Sequence, residues 1–403
     1  MFQCWNVFER NDEDNVIAVL EHPDRISRIK LIIHELQLGK IATLTQKPFP
    51  VLTHLFISSH CGMGAAIPDE FLGGSAPSLQ QLDVCDVLYP ELQSLLLSAS
   101  NLVNLSLHNI PRTGYISPKA MVSLVTFSIK LETLHIDFSA RTSYPKLIIS
   151  PPTTRTILPA LRNFTFSGEC KYLEDFISRI DTPQLDSISV YYQDWAIDFN
   201  YDVPQLSKFT NRSENLKRSL SRYCKIMVDQ DQDIVTFCIG CTTSDRWDPK
   251  PGIFVCLGPG IDGQISHLTN ILGFMSPILS DIVHCTIDSM LFMSESSLSS
   301  NPESRDDFDW FQLLRQLPSL QALFAFEYVA ELISQAFAYV DVGTITEILP
   351  ALQLLCIEEL EDQEEDQTMS SVHKFLALRR DSGHPVTFVQ TKEVFEEKLK
   401  PNP

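Results

Sequence analysis

Apolar and polar positions follow a phrase that recurs along the chain, Pro-x-Leu-x-x-Φ-x-Φ, in which Φ is an apolar residue. Two clear copies begin at Pro159 and Pro183, and a run with helical spacing of its apolar residues, Cys170–Ile180, lies between them. Apolar residues at every second position are typical of a half-buried strand, whereas apolar residues three and four positions apart are typical of an amphipathic helix. The stretch from Leu158 to Val190 therefore predicts a strand, a helix and a second strand.

The phrase returns at a spacing of 23 to 30 residues through the first half of the chain and again near its end. Its copies have their first leucine at Leu52, Leu79, Leu102, Leu131, Leu161, Leu185, Leu320 and Leu352. This spacing is close to the period of about 20–29 residues of leucine-rich repeats, in which each repeat carries a strand and an outer helix. We therefore predict an α/β fold, namely a leucine-rich-repeat-like solenoid with a curved parallel sheet, outer helices and irregular middle repeats.

The same period predicts the domain organisation. We expect residues 1–24 to form a polar N-terminal segment or cap, residues 25–390 the solenoid, and residues 391–403 a C-terminal capping helix and tail. Residues 206–316 obscure the period, although the apolar runs 224–228, 234–239, 253–257 and 282–287 each predict a strand. We interpret this region as degenerate repeats, and a separate small α/β insertion is the alternative. Further helices are predicted over 89–98, 118–130, 371–380 and 391–400, and further strands over 25–33 and 384–389.

Composition and charge exclude several classes of partner. The 403 residues are 44% hydrophobic and 20% charged, as in folded globular proteins. Lys and Arg number 31 against 51 Asp and Glu, and the resulting net charge of −20 repels nucleic acid and anionic lipid. We therefore expect neither a nucleic acid nor a membrane as partner. A membrane helix is also not expected, because no run reaches the ~18 apolar residues that such a helix needs.

Cysteine usage indicates a reducing compartment. The ten cysteines follow no disulfide-framework spacing, and the first six residues lack the basic and apolar regions of a secretory signal. Reduced and mostly buried thiols are typical of proteins in compartments that keep thiols reduced. We therefore expect a cytoplasmic or nuclear protein.

Motifs that would indicate catalysis or cofactor binding are weak in this chain. The segment Gly258–Gly263 matches G-x-G-x-x-G, but it contains Pro259 and the repeats do not form a doubly wound sheet around it, so a tight turn is favoured. Cys238 and Cys241 form a CxxC pair without a second pair at zinc-finger spacing, so buried thiols are favoured over a metal or redox site. We therefore predict no enzyme, no cofactor and no metal. A nucleotide- or metal-dependent enzyme centred on these two motifs is the alternative.

Polar residues between the Φ positions form the candidate binding surface. Because successive side chains of a strand point to opposite faces, burial of the Φ residues leaves the intervening residues on the concave face of the sheet. The predicted partner-binding residues are His54, Phe56, Gln81, Asp83, Asn104, Ser106, His108, Thr133, His135, Asp137, Asn163, Thr165, Ser187, Ser189, Tyr191, Phe324 and Phe326. The two phenylalanines would be unusual exposed aromatics and would mark a binding hot spot. Packing of both beneath a loop or the C-terminal cap is the alternative.

Four parts of the chain together resemble the leucine-rich-repeat region of the F-box proteins of mushroom-forming fungi. They are Asn11–Ile17 with Leu20–Arg25, Gln46–Pro50 with Leu52–Leu55, Thr113–Pro118, and Leu158–Leu161 with Tyr172–Phe176 and Asp181–Leu185. The similarity covers nearly the whole chain. It implies a substrate adaptor whose repeats hold a protein target, while an F-box docks a Skp-type protein and brings a cullin ubiquitin ligase.

No F-box motif is visible before the first predicted strand. The resemblance therefore implies a Skp-type adaptor and a cullin as partners only if an F-box lies upstream of Met1. The main hypothesis is a non-enzymatic protein-recognition module with an unknown protein target. The alternative is a structural or decoy repeat scaffold without coupling to a ligase.

Overall fold

Copies of the recurring phrase form strands in a computed structural model of the chain, which has a mixed α/β fold. The structure describes residues 3–4, 18–33, 45–59, 65–66, 71–88, 92–138, 152, 154–193, 203–220, 222–229, 234–240, 252–257, 264–289, 307–326, 328–338, 340–341, 343–345, 347–358 and 365–399. The chain divides into two units. The first comprises Met1–Val190 with Lys208–Leu216, and the second comprises Tyr191–Ser207 with Lys217–Pro403.

The first unit is built on a parallel sheet whose strands follow one another in sequence order. Its strands are β1 (Gln3–Cys4), β2 (Arg28–Ile33), β3 (His54–Ser59), β4 (Ala65–Ala66), β5 (Gln81–Cys85), β6 (Val87–Leu88), β7 (Asn104–Ile110), β8 (Thr133–Phe138), β9 (Thr156–Ile157), β10 (Asn163–Gly168), β11 (Ile180–Asp181) and β12 (Ser187–Tyr192), the last ending in the second unit. The main sheet has the order β1-β2-β3-β5-β7-β8-β10-β12, with parallel pairing at each step from β1 to β10. The strands β4 and β6, and likewise β9 and β11, form small parallel ribbons.

Helices connect several of these strands. They are α1 (Leu92–Ser98), α2 (Pro118–Val125) and α3 (Cys170–Ser178), followed by α4 (Pro204–Arg212) and α5 (Glu214–Ser219). Ser117 caps α2 because its side chain accepts the Ala120 N–H, and Pro118 occupies the first turn, where no N–H donor is needed. Both α2 and α3 end before the predicted residues, since the turn at Ser128 leads into β8 and Ile180 begins β11.

Each phrase begins with a tight turn that explains its proline. The N–H of the first leucine donates to the carbonyl three residues earlier, as Leu161 does to Leu158 and Leu185 does to Thr182. The proline therefore occupies the second position of a β-turn, which its fixed φ favours. The strand that follows starts with two successive N–H groups that donate to one carbonyl of the preceding strand segment, as Gln80 and Gln81 do to Thr53.

The Φ residues form the core of the first unit, as the alternating pattern predicted. In β3, β5 and β8 the burial strictly alternates between buried and half-buried residues. Aromatic rings from two strands and a helix extend this core, with ring centroids 4.5 Å apart for Phe138 and Tyr172 and 5.6 Å apart for Phe166 and Tyr172. Gly168 lies against these rings with φ 153°, and a Cβ there would approach Phe138 and Phe166 to 3.0 Å. A side chain at this position would therefore disturb the ring packing.

The described part of the second unit contains strands of mixed direction. They are β13 (Tyr223–Asp229), β14 (Ile234–Ile239), β15 (Gly252–Leu257), β16 (His284–Ser289), β17 (Ala322–Phe326), β18 (Leu354–Glu358) and β19 (Thr387–Val389), in the order β15-β14-β13-β16-β17-β18-β19. Pairing is antiparallel on both sides of β14 and parallel from β13 through β16, β17 and β18 to β19. Strands are thus confirmed at all four apolar runs of residues 206–316. However, β13 to β15 do not pair as stacked parallel repeats do.

Helices of the second unit are α6 (Gln264–Phe274), α7 (Ser276–Leu279), α8 (Asp307–Arg315), α9 (Tyr328–Ala338), α10 (Glu365–Asp381) and α11 (Lys392–Leu399). Phe337 of α9 and Phe375 of α10 stack with ring centroids 4.2 Å apart. Arg379 of α10 is 1% exposed, and its Nη2 donates to the carbonyls of Pro350 and Leu352 at 3.2 and 3.1 Å. This arginine therefore ties α10 to the turn that precedes β18. Among the described residues, no helix combines the length and apolar character needed to cross a bilayer.

Candidate functional site

Polar side chains of the first unit line up in rows across the parallel strands. Parallel register places residues of the same row on adjacent strands about 4.8 Å apart, and on the same face of the sheet. The first row contains Arg28, His54, Gln81, Asn104, Thr133 and Asn163, and the second contains Lys30, Phe56, Asp83, Ser106, His135 and Thr165. A third, shorter row contains Ser58, Cys85 and His108, and Asp137 pairs with Ser167 at the same end of the strands. We call this set the polar face of the first unit.

Most of the predicted ladder residues of the first unit are partly accessible on this face. Half-buried side chains are found at every predicted position from His54 to Thr165 and at Ser189. Ser187 corrects the prediction, because it is buried, with 4% exposure.

A group of interacting ionisable side chains on the polar face surrounds His108. Its Nε2 lies 3.6 Å from Asp83 Oδ1, and its ring centroid lies 4.2 Å from that of His135. Burial raises the pKa of the Asp83 carboxyl, although the charges of His108 and Lys30 oppose the shift. Burial, with a smaller contribution from the nearby His108, lowers the pKa of His135 to about 4. At neutral pH, His135 is therefore an uncharged imidazole that can accept a hydrogen bond or ligate a metal.

Asp137 completes this group beside the two histidines. One ligand atom from each of His108, His135 and Asp137 lies within 4.8 Å of the others. Burial raises the pKa of the Asp137 carboxyl, while hydrogen bonds from the Ser167 side chain and the Asn109 backbone oppose the shift. The Asn109 N–H donates to Asp137 Oδ2 at 3.3 Å. Asp137 is thus a half-buried carboxylate that is fixed by two donors and faces two imidazoles.

A β-bulge in β7 creates this arrangement. Leu107 pairs with Ile136 and Ile110 with Phe138, so β7 has one extra residue between the two pairs. Asn109, inside the bulge, has φ 50°, a left-handed conformation that asparagine tolerates better than most residues. Its side-chain amide donates to the Asp86 carboxylate, and Asp86 itself has φ 56°. The bulge therefore turns the end of β7 so that the Asn109 N–H reaches Asp137.

Cys85 lies next to this bulge. Its Sγ donates to Asp86 Oδ2 at 3.3 Å, and burial together with the Asp86 carboxylate raises the pKa of the thiol to about 12. At neutral pH, Cys85 is therefore protonated and a weak nucleophile. The side chain adds a polar but chemically inert group to the polar face.

In the second unit, the sheet face that carries Phe324 is covered. Phe324 is 4% exposed, and its ring centroid lies 5.5 Å from that of Phe395 in α11. Lys392 Nζ lies 6.0 Å from the Phe324 centroid, and Phe326 stacks 6.2 Å away and is half-buried. The predicted exposed pair is thus corrected for Phe324, because the C-terminal helix packs on this face of the sheet. Burial of Phe324 beneath the C-terminal cap is the alternative that the sequence analysis left open.

The remaining predicted positions are placed in the second unit or lie outside the described residues. Tyr191 is half-buried and contacts Phe254, with ring centroids 5.1 Å apart. Cys238 is a buried residue of β14, whereas Cys241 and the glycine-rich segment Gly258–Gly263 lie outside the described residues. Both motifs therefore stay predictions.

Sequence reasoning placed His108, His135 and Asp137 on the correct face but did not group them. The missing signals were the bulge and its consequence for the end of β7. Asn109 was the one sequence feature that could have indicated it, because asparagine is enriched in left-handed positions. Comparison of the chain with known protein-family models and with curated proteins gives no match.

Proposed function

We propose that the chain is a non-enzymatic protein-recognition module with a leucine-rich-repeat-like architecture, and that the polar face of the first unit binds a protein partner. The carrying observation is the register of two complete rows of polar and aromatic side chains across β2, β3, β5, β7, β8 and β10. Rows of half-exposed donors and acceptors on a rigid sheet are held in place before a partner arrives. Such preorganisation lowers the entropy lost on binding.

The dimensions of the polar face suit a protein surface better than a small molecule. The six strands with five spacings of about 4.8 Å span about 24 Å. A standard protein interface buries about 800 Å² on each partner, which corresponds to a patch about 28 Å on a side. Lys30 Nζ lies 5.1 Å from the Phe56 ring centroid, which places a cation and an aromatic ring at one end of the second row. Aromatic side chains such as Phe56 are enriched in protein interfaces relative to the rest of the protein surface.

The resemblance to fungal F-box proteins supports a more specific form of the proposal. In that form, the chain is the substrate-binding part of a ubiquitin-ligase adaptor in the cytoplasm or nucleus. An upstream F-box would supply the link to a Skp-type protein and a cullin. A protein that binds its partner without recruiting a Skp-type protein would instead be a scaffold.

Paired substitutions test the recognition role. Ser106→Arg and Thr165→Arg each place a long cation in the second row, and Ser123→Arg makes the same change at an exposed position of α2. We expect cross-linking mass spectrometry in cells that express the protein to identify a partner that is retained by Ser123→Arg and lost by both face variants. Circular dichroism would verify that all three variants fold.

Two results would separate the parts of the proposal. A partner set that is the same in wild type and in both face variants would remove the polar face as the binding surface. A partner bound through the polar face, without any Skp-type protein in the complex, would retain recognition and remove the ligase role.

A further inference from the structure

We propose that His108, His135 and Asp137 bind a divalent transition-metal ion of the zinc class on the polar face of the first unit. Their candidate ligand atoms already lie within 4.8 Å of one another. In a tetrahedral zinc site with bonds of about 2.0–2.1 Å, neighbouring ligand atoms lie about 3.4 Å apart. Small rotations of half-buried side chains would therefore bring the three donors into coordination without a change in the strands.

The donor set selects the class of metal. Two imidazoles and one carboxylate suit zinc and its neighbours in the first transition row, whereas magnesium and calcium prefer oxygen donors. The rings of His108 and His135 have centroids 4.2 Å apart, and a ligand atom of each lies within 4.8 Å of a carboxylate oxygen of Asp137. Both imidazoles and the carboxylate are thus close enough to share one ion. The net charge of −20 adds a field that attracts cations to the protein.

Rigid elements position all three ligands. His135 and Asp137 are two residues apart on β8, so their side chains project from the same face of the strand. His108 comes from β7 at the start of the bulge. The Asn109 N–H and the Ser167 side chain hold the Asp137 carboxylate. Preorganised ligands of this kind reduce the entropy lost when a metal binds.

Asp83 supplies a second and separate observation. Its Oδ1 is buried, makes no hydrogen bond with the described residues, and lies 3.6 Å from His108 Nε2. Metal-bound histidines usually donate their other ring N–H to a carboxylate, which fixes the ring and its tautomer. Asp83 is placed to accept the Nε2–H of His108 and to leave Nδ1 for the metal. Asp83 is therefore a positioning residue in this proposal.

Three protein ligands leave one coordination position open. In zinc proteins, a water molecule or an incoming side chain fills such a position. On the polar face, that position is accessible to a histidine or carboxylate of a bound partner. Metal binding itself requires no partner, so the proposal stands or falls independently of the recognition role.

Metal titrations of the full chain test the site. After chelator treatment and dialysis, Zn²⁺ binding is measured by competition with a chromophoric chelator, and Co²⁺ is added to record the visible absorption of a tetrahedral site. We expect one high-affinity ion per chain. Affinity should fall at least about a hundredfold in His135→Ala and Asp137→Ala, and about ten- to a hundredfold in Asp83→Asn, as for other outer-shell partners.

His54→Ala is the matched control, because His54 lies on the same face of the sheet but outside the cluster. It should leave both the affinity and the cobalt spectrum unchanged. Asp137→Asn removes the charge with little change of shape, so its weaker binding would support the site even if an alanine variant failed to fold. No binding by the wild type, or equal binding by the wild type and Asp137→Asn, would overturn the proposal.

Discussion

The left-handed residue Asn109 provides a sharp test of the structure around the candidate site. Asn109 has φ 50° in the β7 bulge, and its side-chain amide donates to the Asp86 carboxylate. Replacing it with alanine removes the hydrogen bond and places a Cβ-bearing residue without a polar side chain in a left-handed conformation. Replacing it with glycine also removes the hydrogen bond but relieves the backbone strain.

The expected loss in free energy of unfolding differs between the two variants. Loss of a hydrogen bond to a partly exposed carboxylate costs about 1 kcal/mol. Alanine adds about 1 kcal/mol, since the left-handed region costs most L-residues about 1–2 kcal/mol and asparagine less. Glycine adds about 0.5–1 kcal/mol of unfolded-state entropy and regains part of the strain. We therefore expect Asn109→Ala to lower the free energy of unfolding by about 2 kcal/mol and Asn109→Gly by about 1 kcal/mol.

Asn101 is the matched control position. It also uses its side-chain amide, which donates to the Pro77 carbonyl at 3.0 Å, but it is not among the described residues with positive φ. At position 101, glycine gains no relief of backbone strain and adds unfolded-state entropy, so alanine should be less destabilising than glycine, which reverses the order expected at position 109.

Native-state hydrogen exchange of peptides from β7 and β8 reports the stability of the first unit, and a thermal melt provides the same ranking. An Asn109→Gly variant as unstable as Asn109→Ala, or the same order of variants at both positions, would refute the left-handed conformation of Asn109.

Two further predictions concern the C-terminal helix and Cys85. Phe395→Ala should remove the cover of Phe324 and increase hydrogen exchange throughout α11, whereas Val394→Ala, at a position 41% exposed, should not. Unchanged exchange in α11 would show that this ring contact does not hold the helix. Because the pKa of Cys85 is raised to about 12, its thiolate fraction at pH 8 should be about a thousandfold below that of an ordinary thiol. Alkylation, followed by peptide mass spectrometry, should be correspondingly slow and should rise with pH; rapid modification at pH 8 would contradict the buried, protonated thiol.

The sequence predicted the strands of the phrase well because their pattern depends on local burial alone. Leu82 and Val84 are fully buried while Gln81 and Asp83 are half-buried, as the period of two requires. The same reasoning placed strands at the apolar runs of residues 206–316. It could not predict whether neighbouring strands are parallel or antiparallel, because buried and exposed side chains alternate in the same way in both.

The length of a connection could have given that direction. Only four residues separate β13 from β14, which end and begin at Asp229 and Ile234. A parallel pair needs a crossover of about a dozen residues or more, whereas an antiparallel pair needs only a short turn. The antiparallel pairing of these two strands therefore follows from chain length, and the short connection argues against degenerate parallel repeats in this part of the chain.

The contact between Phe324 and Phe395 lies beyond such reasoning. Phe324 sits at an outward position of its strand, and the alternating pattern predicts exposure there. A helix about 70 residues further along the chain buries it. The sequence shows that α11 has an apolar residue to bury, but it does not show which face of the sheet receives it. The alternation of apolar and polar residues within a strand cannot predict burial by an element that is distant in sequence.

The candidate metal ligands show how a repeat sequence can be searched more effectively. His108 and His135 are 27 residues apart, which hides them from motif scans that look for ligands within a few residues on one helix or loop. In a sheet built by stacked repeats, however, residues about one period apart are neighbours on adjacent strands. Ligand pairs should therefore be sought at the repeat spacing, with a shift of two residues for diagonal contacts. This rule predicts that His108 lies close to both His135 and Asp83. Asp137 is two residues after His135 on β8 and therefore lies on the same face of the sheet.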